Sequence, residues 1–352
     1  MRPSSNEIQS ALEQARTNHV FSGYQLYSEC KGIALSIFGG DTSFWQPSLP
    51  VTEDSLFDLG SVTKVVATTS LFALGVQQKQ FDLGDSLSKS LPEFQKSGYA
   101  SLTLGQLLSH CAGIISWYPL YRETSAKGLK AWFLRNDKKI CIDSPGTKSV
   151  YSDLGMLLLG FVLEKGGDFR KQYLDRVAGP LKLKGVDYPP FSDTSACVAT
   201  EYCEEREVLL QGQVFDRNAN HLGGVCPHAG LFASARSLGP WCNEWLKAWH
   251  GKSKWLRQDA SQLFSRVTGI VSGSTRAYGW DTKSAVHASA GRFFSSKSFG
   301  HLGYTGTSVW IDPEKEMFSV FLTNRVHPSR YDDRIREVRP RVHELLTKYW
   351  EN

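Results

Sequence analysis

A serine and a lysine stand one helical turn apart in the stretch LFDLGSVTKVVATTSLFALG, residues 56–75. The stretch begins with a glycine turn and continues with apolar residues that repeat at three and four positions, which is typical of a buried helix face. Ser61 and Lys64 therefore share one side of the first turn, and the amine can reach the hydroxyl. Because a serine hydroxyl is a poor nucleophile without a neighbouring base, the pattern predicts a lysine-assisted serine nucleophile.

The beginning of a helix suits this chemistry. The unpaired N–H groups and the helix dipole there favour negative charge on the serine oxygen. We expect the dipole and burial together to lower the pKa of Lys64. Ser-x-x-Lys also occurs at Ser28 and Ser86, and about two matches are expected by chance. Only Ser61 opens a buried helix, which distinguishes it from the other two.

A tyrosine precedes the most apolar helix of the chain, in the stretch VYSDLG. Tyr151 can project into a cleft from this loop, and a phenolate beside an ammonium group would be a general base for Ser61. A buried tyrosine with a satisfied hydroxyl is the more ordinary interpretation of this residue alone. Asp153 is expected to be the N-cap of the helix.

A third candidate element is GHLGYTGTSVWIDPE, residues 300–314. Glycines around Tyr304, among them Gly303, allow a substrate to lie against bare backbone. The Tyr304 N–H could pair with that of Ser61 as an oxyanion hole. His301 could hold a substrate carboxylate or assist proton transfer, although a histidine here is more often a surface residue.

The order of the predicted elements indicates how these residues are brought together. Strand patterns occur at both ends of the chain and helical patterns in the middle, which predicts an α/β (α+β) fold with one antiparallel sheet flanked by helices. We expect a single catalytic domain, 1–352, with a sheet lobe from 1–80 and 216–352. An all-helical lobe, 81–215, is inserted into it. The site would lie in the cleft between the lobes.

Local signals support several of these elements. Thr103 and Gln106 form a capping-box pattern, and the run TGTSVWIDPEKEMFSVFLTN predicts an antiparallel hairpin. A terminal helix follows, which Pro340 is expected to kink or restart. The Arg-rich stretch NRVHPSRYDDRIREVRPR is interpreted as a solvated helix face in preference to a site for an anionic partner.

Composition narrows the class of protein. The chain is 41% hydrophobic with a net charge of +5, which is typical of a folded globular protein and gives no reason to expect nucleic acid. Its seven cysteines lack a C-x-x-C pair, so neither a disulfide framework nor a zinc site is expected. His221, Cys226 and His228 lie close in sequence, but their spacing fits no common metal site, and no metal is predicted.

The N-terminal stretch lacks the apolar core of a signal peptide. Its pattern is instead expected to form an amphipathic helix. The longest apolar run, residues 154–163, is too short to span a bilayer. The simplest location is therefore the cytoplasm.

Taken in order, the three elements resemble the serine β-lactamase and penicillin-binding protein superfamily. The similarity is to its class C-like branch, which contains D-alanyl-D-alanine carboxypeptidases and carboxylesterases. The segments LFDLGSVTK, LTLGQLLSHCAGI, PGTKSVYSDLGMLLLGFVLEK and DRNANHLGGVCPHAGLFAS also resemble family segments, in family order. The resemblance implies that Ser61 is the nucleophile, Lys64 its partner and Tyr151 the general base. It also implies an acyl-enzyme and no cofactor.

Two positions depart from the family pattern. Asp153 stands where the family often has Asn, and we expect it to pair with Lys64. His301 stands where the family usually has Lys, as in many esterase-like members, and a neutral histidine grips a carboxylate less firmly than an ammonium does. Both changes argue against efficient β-lactam hydrolysis more than against serine acylation.

The predicted function is a serine hydrolase that cleaves an ester or amide of a small molecule or peptide through a Ser61 acyl-enzyme. The alternatives are a penicillin-binding sensor that acylates but hardly deacylates, and a D-alanyl-D-alanine carboxypeptidase. The aromatic run SWYPLY, residues 116–121, either walls the cleft or belongs to the core of the helical lobe.

Overall fold

The strands of the protein form one large sheet and two short pairs in a computed structural model that describes residues 3–351. The strands are β1 (Gly23–Cys30), β2 (Ile33–Gly40), β3 (Phe57–Asp58), β4 (Tyr202–Cys203), β5 (Val208–Leu209), β6 (Phe232–Ala233), β7 (Asp281–Thr282), β8 (Phe299–Leu302), β9 (Ser308–Asp312) and β10 (Met317–Thr323).

The helices precede, separate and follow these strands. They are α1 (Ser5–Thr17), α2 (Ser70–Gln77), α3 (Leu87–Ser90), α4 (Leu104–Leu108), α5 (Leu129–Arg135), α6 (Asp137–Ile140), α7 (Asp153–Glu164), α8 (Phe169–Tyr173), α9 (Arg217–His221), α10 (Gly239–Trp249), α11 (Gln258–Ser265) and α12 (Ile335–Trp350).

The large sheet is antiparallel and draws on both ends of the chain, with strand order β2-β1-β10-β9-β8-β7. β1 pairs with β10 from Tyr24 opposite Thr323 to Cys30 opposite Met317. This confirms the predicted fold class and the predicted hairpin, in which β9 and β10 are neighbours. β8, which carries His301, is held between β9 and β7, so the site strand is fixed on both edges.

Helices cover both faces of the sheet, and the central strand β10 is buried along its whole length. Alternate residues of β10 point to opposite sides. Phe318, Val320 and Leu322 belong to a core shared with α10, whereas Met317 and Phe321 pack with α1 and α12. A central strand that is covered on two sides is therefore apolar at nearly every position instead of alternating.

The middle of the chain supplies the helices that face the site. α7 is buried from Leu154 to Leu163 and ends before Gly166, as the sequence predicts. The capping box of Thr103 and Gln106 at α4 is confirmed. The prediction that Asp153 is the N-cap of α7 is wrong. Ser152 is the N-cap and accepts from the amide of Gly155, which leaves the Asp153 carboxylate free to face the site.

The terminal helix α12 is continuous across Pro340. The helix therefore does not restart there, because packing of Ile335, Val342 and Leu346 in the core holds the segments on both sides of the proline together. The boundaries of the predicted lobes at residues 81 and 215 stay a prediction. All seven cysteines are free thiols. Within residues 3–351, no helix combines the length and apolarity that crossing a bilayer requires.

Candidate active site

Ser61 lies in a tightly wound turn at the start of the helical segment that leads into α2. Residues Gly60–Val62 form a single 3₁₀ turn, and Lys64–Thr69 form a π-helical segment before α2. The predicted proximity of the two side chains is confirmed, because Lys64 Nζ lies 2.8 Å from Ser61 Oγ. Wide π turns are frequent at functional sites, and here the local winding places the two groups on one side.

The Lys64 ammonium is fully buried among polar groups. Besides Ser61, it donates to the carbonyl oxygen of His228 at 2.9 Å and lies 2.7 Å from Asp153 Oδ1. The predicted pairing with Asp153 is thus confirmed. The expectation of a lowered lysine pKa is wrong. Burial is the largest single effect and acts to lower the pKa of Lys64, but the effects of Asp153 and Tyr151 together outweigh it, and the pKa is raised.

Tyr151 lies immediately before the N-cap of α7, and its ring centroid is 4.9 Å from Lys64 Nζ. Its hydroxyl is buried beside Lys64 and Ser61. Burial raises the pKa of Tyr151, although the lysine charge opposes this. The phenol and the ammonium are therefore both protonated in the resting site at neutral pH.

The His110 ring packs against the ring of Tyr151. The two ring centroids are 4.6 Å apart, and His110 Nδ1 accepts a hydrogen bond from the amide of Ser152 at 3.1 Å. Burial, together with the charges of Arg276 and Lys64, holds the pKa of His110 far below its usual range. A neutral, fixed imidazole thus orients the tyrosine loop without adding charge.

Hydrogen bonds join the loop between β8 and β9 to the residues just before the Ser61 turn, Gly60–Val62. The hydroxyls of Thr305 and Thr307 each donate at 2.7 Å, to the carbonyl oxygens of Asp58 and Leu59. Gly60 has a φ of +51°, and a Cβ there would lie 3.3 Å from Tyr304 N. Only glycine combines this backbone conformation with such a close approach.

Two backbone amides are left open where these segments meet. Among residues 3–351, neither Ser61 N nor Tyr304 N has a hydrogen-bond acceptor. Two adjacent unpaired N–H groups beside a nucleophile are the usual composition of an oxyanion hole. Gly303 is required here as well, since a Cβ would overlap with the carbonyl oxygen of Leu59.

Asp58 is a buried carboxylate that sequence reasoning missed. It accepts from the amides of Gly60 at 2.8 Å and Phe215 at 2.7 Å, and it therefore positions the nucleophile turn. Burial raises the pKa of Asp58 to about 6.

His301 lies at the site with one of its ring nitrogens engaged by the backbone. Its side chain is buried, and Nδ1 lies 2.8 Å from the carbonyl oxygen of Leu302. Because a carbonyl only accepts, Nδ1 carries the hydrogen and Nε2 presents a lone pair. Burial, Lys64 and Arg276 hold the pKa of His301 far below its usual range. A neutral acceptor disfavours an anion, and the carboxylate-binding role of His301 stays a prediction.

Ser61, Tyr151 and Tyr304 lie between two open cavities. The larger, about 560 Å³, is lined by residues of β8 and of the C-terminal segment, including several arginines. The smaller, about 250 Å³, is lined by Trp117, Phe215 and the carboxylates of Asp153 and Asp216, among others. Both interpretations of the SWYPLY run hold in part, because Trp117 walls this cavity whereas Leu120 is in the core.

The histidine–cysteine cluster predicted to bind no metal is not assembled as a group. His221 is exposed and hydrogen-bonds the carbonyl oxygen of Thr124 at 2.8 Å. In the described chain, Asp153, Asp216 and His228 do bring ligand atoms within 4.8 Å of one another. The Lys64 ammonium already lies 2.7 Å from Asp153, and its positive charge opposes a cation at this position.

The comparisons with known proteins agree with this geometry. The Beta-lactamase family model matches residues 24–342. The chain belongs to the β-lactamase family. A Bacillus subtilis protein named N-acetylmuramyl-L-alanine amidase is 30% identical over 323 residues, which cover 82% of this chain and 72% of that protein. A Salmonella agona protein provisionally named D-alanyl-D-alanine carboxypeptidase is 29% identical over 325 residues, 82% of this chain and 74% of that protein.

The structure is similar to that of a class C β-lactamase from Rhodobacter sphaeroides. The TM-score is 0.73 at 19% identity, over 97% of this chain and 99% of that one. This β-lactamase-family chain is a hydrolase of the serine β-lactamase fold, related to penicillin-binding proteins.

Several site residues of this β-lactamase-family chain escaped sequence reasoning. His110 left no signal in the sequence, because its φ of +56° is a property of the folded backbone. Arg339 left one, since it falls on the apolar stripe of α12 between Ile335 and Val342. Arg276 left none, because its place beside the Tyr151 ring, 5.2 Å away, is set by tertiary structure.

The pKa directions predict how activity depends on pH. The base for Ser61 must be deprotonated, and the pKa values of both Lys64 and Tyr151 are raised. We expect kcat/KM for a neutral ester to rise about tenfold per pH unit from neutral into the alkaline range. A stopped-flow pH series measures this, after correction for spontaneous hydrolysis.

The matched variants for this prediction are Asp153→Asn and Asp85→Asn. The first removes the negative charge that raises the pKa of both Tyr151 and Lys64, so the rise in kcat/KM moves to lower pH. The second removes the partner of the exposed Lys89 and leaves the profile unchanged. A flat wild-type profile, or superimposable wild-type and Asp153→Asn profiles, would contradict the prediction.

Proposed function

We propose that the chain cleaves an amide or ester bond through an acyl-enzyme on Ser61. The observation that carries this proposal is the 2.8 Å contact between Lys64 Nζ and Ser61 Oγ, directly beside the unpaired amides of Ser61 and Tyr304. A nucleophile, a proton acceptor and an oxyanion site thus meet at one point, which is the arrangement that acyl transfer requires.

In the acylation step, Ser61 Oγ bonds to the carbonyl carbon of the substrate. Its proton passes to Tyr151, deprotonated with the help of Lys64, and the carbonyl oxygen becomes an oxyanion held by the two amides. Collapse breaks the bond to the leaving nitrogen or oxygen, which takes the proton from Tyr151. The acyl group then remains on Ser61.

In the deacylation step, Tyr151 takes a proton from a water molecule that attacks the acyl carbon. Collapse of the second tetrahedral intermediate breaks the bond to Ser61 Oγ and returns the proton to it. The carboxylic acid leaves, and the site is restored without a cofactor. Asp153 holds Lys64 charged, so that the lysine supports the phenolate electrostatically.

An amide next to an alanine is the substrate class we favour. The two curated relatives carry the names of an amidase at L-alanine and, provisionally, of a carboxypeptidase at D-alanine. Small peptides fit the cleft, which is open on both sides of Ser61. The cytoplasmic location expected from the sequence stays a prediction.

Trapping of the acyl-enzyme tests this function. We expect a 4-nitrophenyl ester, quenched within the burst phase, to add the mass of one acyl group to a peptide that contains Ser61. Ser86→Ala is the matched control, because Ser86 and Lys89 repeat the motif at an exposed position, and it should be labelled as wild type is.

Turnover without any covalent adduct, or an adduct at another serine, would contradict the proposal. A lasting adduct with a penicillin, together with no ester turnover, would instead favour the penicillin-binding sensor.

A further inference from the structure

An arginine is buried at the wall of the larger cavity without a matching negative charge. Arg339 on α12 is only 5% exposed and lines the cavity next to Ser61. Its one hydrogen-bond acceptor in residues 3–351 is the carbonyl oxygen of Thr307, at a long 3.4 Å from Nη2, and Nε has no partner. A buried guanidinium normally has its donors satisfied, because desolvating an unpaired charge is costly.

A second guanidinium lies in the same wall. Arg325 is 9% exposed. Its Nε donates to the carbonyl oxygen of Tyr304 at 2.7 Å, and its Nη1 to those of Arg330 and Asp332 at 3.0 and 2.9 Å. Backbone carbonyls satisfy these donors but supply no net charge. Burial and the neighbouring Arg325 lower the pKa of Arg339 to about 10, so Arg339 is cationic at neutral pH.

The acids around the cavity are already paired with other arginines. Asp281 lies 3.4 Å from Arg276 and Asp333 lies 3.6 Å from Arg336. Glu201 forms a two-pronged ion pair with Arg330. No carboxylate of the described chain comes within 4.0 Å of Arg325 or Arg339. The charge of Arg325 acts on the carboxylate of Asp332, which is paired with Arg334, so Arg339 is left without a carboxylate partner.

A purely structural role does not explain this arrangement. Arg325 does stabilise the backbone at 330–332 through hydrogen bonds to carbonyl oxygens. That structural role does not require the side chain to line an open cavity. Arg339 makes a single long hydrogen bond, which does not offset the free-energy cost of burying its charge. An apolar residue on the same stripe of α12 would avoid that cost.

We propose that the larger cavity is an anion subsite, in which Arg325 and Arg339 bind a doubly charged group of the substrate, a phosphate or a pair of carboxylates, next to the bond that Ser61 attacks. Guanidinium groups match these oxygens in geometry and charge. The part of this proposal that concerns the substrate rests on the proposed function, whereas anion binding itself does not. The solvated-face interpretation of the Arg-rich stretch is wrong for these two residues.

Calorimetric titration of the Ser61→Ala protein with inorganic phosphate and with succinate tests the subsite. The ionic strength is held constant with chloride. We expect one anion to bind per protein molecule. Its affinity should be about tenfold lower, or less still, in the Arg339→Gln background. Arg341→Gln, an exposed position on the same helix, is the matched control and should leave binding unchanged. Tighter phosphate binding identifies a phosphorylated substrate, and tighter succinate binding a dicarboxylate.

A second variant separates the charge from the packing. Arg339→Lys keeps the charge but loses the planar fork, and it should weaken anion binding less than Arg339→Gln does. In the active enzyme, the anion that binds should raise KM for a neutral ester and leave kcat unchanged. Absence of binding by both anions, or equal affinity in Arg339→Gln and Arg341→Gln, would overturn the subsite.

These outcomes are independent of the acyl-enzyme. If the ester is not hydrolysed at Ser61, the proposed function fails, and the titration still reports on the arginines. If hydrolysis proceeds at Ser61 but neither anion binds, the anion-subsite proposal is contradicted and the proposed function is not.

Discussion

Ser61→Ala should lower kcat/KM for a 4-nitrophenyl ester by about 10⁴-fold or more. The substitution removes the oxygen that forms the acyl bond in the proposed mechanism, and it leaves the unpaired amides and the cavities in place. Because Ser61 is partly exposed and its hydroxyl has Lys64 as its hydrogen-bond partner, we expect little change in thermal unfolding. Stopped-flow assays of wild type and variant measure both the burst and the steady rate.

The control for this experiment is Ser86→Ala, which removes the exposed copy of the motif. It should keep full activity and a full burst. Retention of more than about a tenth of the wild-type rate in Ser61→Ala would show that another group is the nucleophile, since a residual rate from binding alone is far smaller.

Lys64→Met should lower kcat by about 10³-fold or more, which is the upper part of the range for loss of a general acid or base. Met keeps the length of the side chain but leaves Asp153 Oδ1 and the carbonyl oxygen of His228 without their donor. We therefore also expect a loss of stability of about 3 kcal/mol, because one partner of a buried pair is removed. Kinetics and chemical denaturation measure the two effects.

The double variant Lys64→Met/Asp153→Asn separates structure from catalysis. Removing the carboxylate as well should restore much of the stability, since no buried charge is left unpaired, but none of the activity. Lys89→Met, on the surface, should change neither property. Recovery of activity in the double variant would show that Lys64 acts only as a counter-ion to Asp153.

Local sequence signals were sufficient for much of the fold. Apolar alternation predicted the β9–β10 hairpin, and the capping box predicted the start of α4. The occurrence of strands at both chain ends predicted one antiparallel sheet. These signals act over a few residues, or depend only on the order of elements, so a single sequence carries them. Asp153 was misplaced as an N-cap because Ser152 offers the same capping oxygen one position earlier.

The chemistry of the site divides in the same way. The sequence by itself determined that Ser61 and Lys64 meet, because an i, i+3 spacing on a helical turn is a local property. Only the tertiary structure decided the charge of Lys64. α7 brings a carboxylate to 2.7 Å, and its negative charge together with the effect of Tyr151 outweighs the burial that the sequence led us to expect.

Tertiary structure likewise decided which residues face an anion. The motif of β8 drew attention to His301, but the carbonyl of Leu302 fixes its tautomer and leaves an acceptor. The arginines of the C-terminal stretch looked alike in sequence. Packing of α12 on the sheet buries Arg339 and leaves Arg341 in solvent. The cost of burying a charge depends on what surrounds it, and those surroundings come from segments far apart in the chain.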